Sequence, residues 1–215
     1  MGSYIVAGLG LFGSELARQL CRQGCDVLAI DTNPDLVQQM GEVVTHAVVA
    51  DVTDKAVLKA LDAESFDCAV VAIGDNLSAS VLAVMNFQEL GVDKIICKAN
   101  DETHRKVLLK LGVDQVVIPE QEHAARLARS LASTNVLDYI DLSDECGIIE
   151  MPVPGNWMGK TLKDLNVRAK LGVNIIAVHR AGKINVSPAA DFQVAQGDVM
   201  VILGDNASLD RVQKI

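Results

Sequence analysis

The chain has 215 residues, half of them hydrophobic but only 3% aromatic, and a formal charge of −9. That length suits one domain of ordinary size plus a smaller one. A core short of aromatic rings must be built from Val, Ile, Leu and Ala, as in parallel strands buried on both faces. The negative charge argues against nucleic acid and anionic lipid, which attract clustered Lys and Arg. No apolar run approaches the roughly 18 residues of a membrane span, and no charged-then-apolar leader opens the sequence, so neither secretion nor membrane insertion is expected.

Short, β-branched apolar runs at 4–7, 27–30, 47–50, 69–72, 95–97 and 116–118 are each followed by a segment of helical period. Six strand-then-helix repeats with right-handed crossovers predict an α/β fold. It is a doubly wound parallel Rossmann sheet of order 3-2-1-4-5-6, with its crevice at the carboxyl ends of strands 1 and 4. Helix starts are marked by Pro34 after Thr32-Asn33, Asp54 after Thr53, Asn76 after Gly74-Asp75, and Asp101 after Asn100. The same loops border the predicted crevice.

Residues 122–132 place Ala124, Leu127, Ala128 and Leu131 on one helical face, and the polar Ser133-Thr134-Asn135 follows. The domain boundary is therefore set near 136, giving a first domain of residues 1–136 and a second of 137–215. From 148 onward, short strands at 148–153, 174–179, 183–185 and 199–203 are punctuated by Pro154-Gly155, Gly172, Ala181-Gly182 and Gly197-Asp198. Short helices at 162–167 and from Ser208 complete a small α+β domain. The five cysteines form no CxxC pair and read as reduced, mostly buried thiols.

Gly8-Leu9-Gly10-Leu11-Phe12-Gly13 stands between the first strand and first helix, and Asp31 closes the second strand 18 residues after Gly13. This is the dinucleotide fingerprint in its required setting. Gly8 serves the tight turn, Gly10 the approach of phosphate to the backbone, and Gly13 the packing of helix on strand. The helix N-terminus favours an anion. Asp31 is placed to accept from both ribose hydroxyls, and its charge disfavours the 2′-phosphate of NADP.

Hydride chemistry would need a proton donor and a substrate pocket beyond the ring that carries the hydride. The second domain offers only His179, in an apolar strand; His46, His104 and His123 follow no catalytic motif. Lys98, at the end of the fifth strand, is the one candidate catalyst and equally suits a phosphate. An NAD-dependent oxidoreductase with a small second domain is thus the alternative reading.

Taken in order, 5–13, Asp31-Thr32-Asn33, Ala50-Asp51-Val52-Thr53, Val71-Ala72-Ile73-Gly74, Lys98-Ala99, Pro119-Glu120, VLDYIDLSDE at 136–145 and DLNVRAK at 164–170 resemble the regulatory subunit of Ktr/Trk-type potassium uptake systems. The resemblance covers an RCK N-terminal (KTN) domain and an RCK C-terminal domain. It implies a non-enzymatic, cytoplasmic protein at the inner face of the plasma membrane. Homodimers would assemble into a ring, expected to be an octamer, on a membrane potassium-conducting subunit. ADP/ATP or NAD/NADH would occupy the crevice. Asp31, Thr32 and Asn33 would then hold ribose, Asp51, Val52 and Thr53 border adenine, and Ile73 and Gly74 pack near it. Gly8, Gly10, Leu11, Phe12 and Gly13 would shape the phosphate loop. Lys98 and Glu120 would face the crevice, Glu120 also as ligand to a divalent or monovalent cation at the phosphates.

Two departures stand out. Several relatives carry arginine in the glycine loop where this chain has Leu11, which removes a charged phosphate ligand, and Asp75 adds a negative charge beside the crevice where some relatives have a neutral residue. In the second domain, Arg168 and Asn174-Ile175-Ile176 match the pattern of family members that bind cyclic di-AMP, although the pattern's acidic residue two before the arginine is Asn166 here.

Overall fold

The structure is a computed structural model that describes residues 2–132, 135–143 and 145–215. Ser133 and Thr134 of the expected linker, and Asp144 of the 136–145 motif, lie outside the described residues. The chain divides into two compact units, Met1–Gln121 and Glu122–Ile215. The division falls early in the helix Pro119–Ala132, and the expected boundary at 136 lies four residues past that helix's end.

In the first unit six strands form one sheet of order β3-β2-β1-β4-β5-β6, all paired in parallel, in the predicted order. They are β1 (Ser3–Ala7), β2 (Asp26–Asp31), β3 (His46–Val49), β4 (Cys68–Val71), β5 (Ile95–Lys98) and β6 (Gln115–Val117). The crossovers carry α1 (Leu11–Arg22), α2 (Pro34–Met40), α3 (Lys55–Ala60), α4 (Leu77–Leu90) and α5 (Glu102–Lys110), with α6 (Pro119–Ala132) after β6. Strand alternation sorts side chains to two cores. Ile5, Ala7, Leu28, Ile30, Ala69 and Val71 join Phe87 and Leu108 on one face. Val6, Val27 and Ala29 meet Leu9, Ala17, Val37 and Met40 on the other. The chain reverses order at β1, between β2 and β4, so the β1 and β4 ends diverge and open a crevice.

The second unit is a five-stranded antiparallel sheet of order β10-β9-β11-β8-β7. Its strands are β7 (Asp138–Asp141), β8 (Cys146–Pro152), β9 (Asn174–Arg180), β10 (Lys183–Val186) and β11 (Val199–Asp205). Ile149, Met151, Met200, Ile202 and Val178 form its core with Trp157, Leu165 and Leu209. The edge strand β7 is an addition to the expected set. The single helix expected at 162–167 is two, α7 (Leu162–Leu165) and α8 (Val167–Leu171), because Asn166 between them adopts φ 46°. A left-handed residue ends one helix and re-aims the next. The chain closes with α9 (Asn206–Gln213).

Candidate functional site

The crevice begins at Gly8, whose φ of +98° carries the chain sharply off β1. A Cβ there would stand 3.0 Å from the Ala72 backbone, so this turn also lies hard against the end of β4. Gly13 closes the same turn from above: a Cβ on it would sit 1.9 Å from the Gly8 carbonyl oxygen. Gly10 is different in kind. Its φ is −63° and nothing lies within 4 Å of where its Cβ would be, so its bare backbone faces open space in the cleft.

Gly10 is also the N-cap of α1, with no side chain to cap and no acidic residue in the first turn. The α-helices α2, α3, α4 and α5 are each capped by the side chain of the residue before them: Asn33 accepts from the Asp35 amide, Asp54 from Ala56, Asn76 from Ala79 and Asp101 from His104. The amides that open α1 are thus left for an anion from outside the chain, favoured there by the helix dipole.

Asp31 stands opposite. One carboxylate oxygen accepts from the Leu9 amide at 2.6 Å and the other from the Asn33 amide at 2.8 Å. Each oxygen keeps a further lone pair, so the carboxylate is fixed in place and still able to take two hydroxyl donors. Asp51 is held likewise, accepting at one oxygen from the Thr53 amide and hydroxyl. The Asn86 side chain donates to the Val52 and Thr53 carbonyls, and the Ser80 hydroxyl to the Ile73 carbonyl. These bonds pin the loops after β3 and β4.

Together the loops enclose a cleft of about 660 Å³, within the range that holds small ligands. Of the residues singled out from sequence, Gly8, Gly10, Asp31, Thr32, Asp51, Val52, Thr53, Ile73 and Gly74 line it. Leu11, Phe12, Gly13 and Asn33 do not. Leu11 is 94% exposed on the helix, Gly13 is buried behind the turn, and Asn33 Oδ1 is committed to its cap. Lys98 and Glu120, expected to face the cleft, are not among the residues that line it, and Lys98 Nζ lies 2.6 Å from Glu120 Oε1. That ammonium holds the Glu120 carboxyl below the usual carboxylate range. Among the described residues no three His, Cys, Asp or Glu converge to hold a metal ion. A cation at Glu120 would have to displace Lys98.

Leu36 on α2 and Ser78, Ala79 and Leu82 on α4 complete the walls. Sequence reasoning missed them. Small residues at the start of α4 were the available signal, since only a small side chain lets a ligand lie against a helix. None of the four histidines lines the cleft; His104 is buried, and burial lowers its pKa.

In the second unit the cyclic di-AMP candidates separate. Arg168 on α8 is exposed and has no ion-pair partner among the described residues. Asn174 is exposed at the head of β9. Ile175 packs against the core, whereas Ile176 is the extra residue of a bulge, because Ile175 and Ala177 pair with the adjacent Ile202 and Val201.

Fold and cleft together define a two-domain protein of the Rossmann class, with a nucleotide-type crevice in its first domain. The TrkA-N domain family matches residues 4–119 and the TrkA-C domain family residues 148–215. The chain is 40% identical over 211 residues to the Ktr system potassium uptake protein C of Bacillus subtilis (strain 168), covering 98% of this chain and 96% of that one. It therefore belongs to the Ktr/Trk family of potassium uptake regulatory subunits.

Among solved structures, the GsuK channel bound to NAD shares the fold at a TM-score of 0.68 and 22% identity. That match covers 97% of this chain and 38% of the channel, so the chain spans well under half of that protein's length. The C-terminal domain of Shewanella denitrificans Kef in its AMP-bound form matches at a TM-score of 0.52 and 26% identity, over 61% of this chain and 82% of that one. No helix among the described residues is long and apolar enough to cross a membrane.

Proposed function

We propose that this chain senses adenine nucleotide for a potassium uptake system, binding ADP/ATP or NAD/NADH in the Rossmann cleft and setting the state of a membrane potassium-conducting partner. One observation carries the reading: the uncapped N-terminus of α1, with Gly10 bare at its head, faces the same cleft as an Asp31 carboxylate with two lone pairs to spare. The first suits a phosphate and the second a ribose. Asp51, Val52 and Thr53 border the base, with Ile73 and Gly74 packed near it. Asn33 keeps its side-chain NH₂ for a hydroxyl. Glu120 enters only as a ligand that a phosphate-bound cation takes over from Lys98.

Control of this kind needs no covalent step. A ligand that binds one arrangement of a homo-oligomeric ring more tightly than another shifts the population between them. The relatives named for Ktr potassium uptake, and the NAD and AMP held by structural neighbours, support the reading. In the second domain the exposed Arg168 and Asn174, beside Ile175 and the bulged Ile176, form the candidate cyclic di-AMP surface. A guanidinium pairs with phosphate there and a branched side chain packs on adenine.

Calorimetric titration of ADP, ATP, NAD and NADH into wild type and Asp31→Asn tests the cleft. At least one nucleotide is expected to bind, and the substitution to weaken it at least about tenfold, the scale of one charge-assisted hydrogen bond. Absence of binding by all four would overturn the reading.

A further inference from the structure

The cleft wall is one-sided in charge. Asp31, Asp51 and Asp75 line it, and among the described residues no Lys, Arg or His does. Lys55, two residues beyond the lining Thr53, is paired with Glu89, and Lys98 is paired with Glu120, while Leu11, which follows Gly10, is solvent-exposed and brings no charge.

The three carboxylates are not equivalent. Asp31 and Asp51 end the strand side of the cleft, at β2 and just beyond β3, and both are tied to the amides of their own loops. Asp75 belongs to the loop after β4, whose start abuts the glycine turn, as the 3.0 Å approach of Ala72 to a Gly8 Cβ records. It is oriented by Asn100, which donates to its Oδ1 at 3.1 Å. Asn100 itself sits tight under Gly74, 2.6 Å from where a Cβ on that glycine would be. Asp75 is thus an exposed but oriented negative group in the lining of the cleft that also contains Gly10, the head of a helix whose end carries a partial positive charge of about half a unit.

From this we infer that the cleft selects adenine nucleotides of low phosphate charge, a pyrophosphate diester such as NAD or a monophosphate, over a free nucleoside triphosphate, and that Asp75 is the discriminating residue. The inference rests on the nucleotide reading above and deepens it. Backbone amides and one helix dipole are matched to one or two phosphate groups. Each further unneutralised phosphate meets Asp75 with no cation in the lining to offset it, and like charges at short range repel, an effect that salt screens at so exposed a carboxylate. A divalent cation travelling with the triphosphate removes that penalty from the ligand side.

The test titrates AMP, ADP, ATP and NAD into the full-length protein by calorimetry, in EDTA and again with magnesium. In EDTA, NAD and AMP are expected to bind at least about tenfold more tightly than ATP, with magnesium closing most of the gap. Asp75→Asn keeps the acceptor for Asn100 and removes the charge; it is expected to raise ATP affinity about three- to tenfold and NAD affinity less. Raising ionic strength on the wild type gives an independent check, because screening should narrow the ATP deficit without any substitution. ATP binding in EDTA as tightly as NAD, or a ratio unmoved by both Asp75→Asn and salt, would overturn the inference and leave nucleotide sensing intact. Binding of none of the four would overturn both.

Discussion

The two units answer the same question, where unsatisfied backbone groups go, in opposite ways. In the second unit they are closed internally: Arg180 forks onto the buried Asp198, which also accepts from the Ala195 amide, and Thr161 and Asp164 form a reciprocal capping box. In the first unit α2, α3, α4 and α5 each carry a side-chain cap, whereas α1, beside the cleft, carries none. The candidate binding site therefore coincides with an uncapped helix start among neighbours, α2 to α5, that supply their own caps.

The sharpest way to break the comparison is at the glycines. Gly13→Ala forces a methyl to 1.9 Å from the Gly8 carbonyl. It should destabilise the first unit by about 3 kcal/mol or more, the upper range for overpacking. Gly10→Ala meets open space, should cost under about 1 kcal/mol as a weaker cap, and should still abolish nucleotide binding. Trp157, the single tryptophan, is buried in the second unit. Urea unfolding followed by its fluorescence should stay unmoved by Gly13→Ala while the circular dichroism transition shifts. Movement of both would mean that the units unfold as one.

Next in size is Asp198→Asn, which should shift the Trp157 transition by about 2 kcal/mol. That is below the cost of breaking a fully enclosed pair, because Arg180 is half exposed. Arg180, then the Ala195 amide, hold the Asp198 pKa below its ordinary value against the opposing effect of burial. The folded value lies below the unfolded one, near 3.9. The pair's contribution is therefore complete above the unfolded value and lost as pH falls through the folded one. Acid unfolding monitored at Trp157 should lose its steepest part in Asp198→Asn. The smallest effect is at a plain cap: Asp101→Ala should cost about 1 kcal/mol by thermal melting and leave nucleotide affinity unchanged.

The parallel sheet was legible because strands buried on both faces read as unbroken β-branched runs, and its order followed from chain direction alone. The glycine turn and Asp31 were legible because the turn dictates residue type locally. Strand β7 was not, since Asp138-Tyr139-Ile140-Asp141 is a short edge strand that alternates poorly and owes its conformation to pairing with β8. Nor was the break at Asn166, where one left-handed residue overrides a helical pattern. Leu36, Ser78, Ala79 and Leu82 reach the cleft only once α2 and α4 have packed, and the ion pair of Lys98, at the end of β5, with Glu120, in the first turn of α6, depends on how those two elements pack. Side chains placed by tertiary packing leave no local trace.

The bond from the Leu9 amide to Asp31 has a kinetic meaning. It ties the glycine turn to the end of β2 through the chain's own groups, so this part of the cleft's mouth is held without help from a ligand. A preformed receptor spends little ordering entropy on capture. On the nucleotide reading, the capture step itself should then be fast in stopped-flow traces, with any slower phase belonging to the change of ring arrangement and not to ordering of the glycine turn.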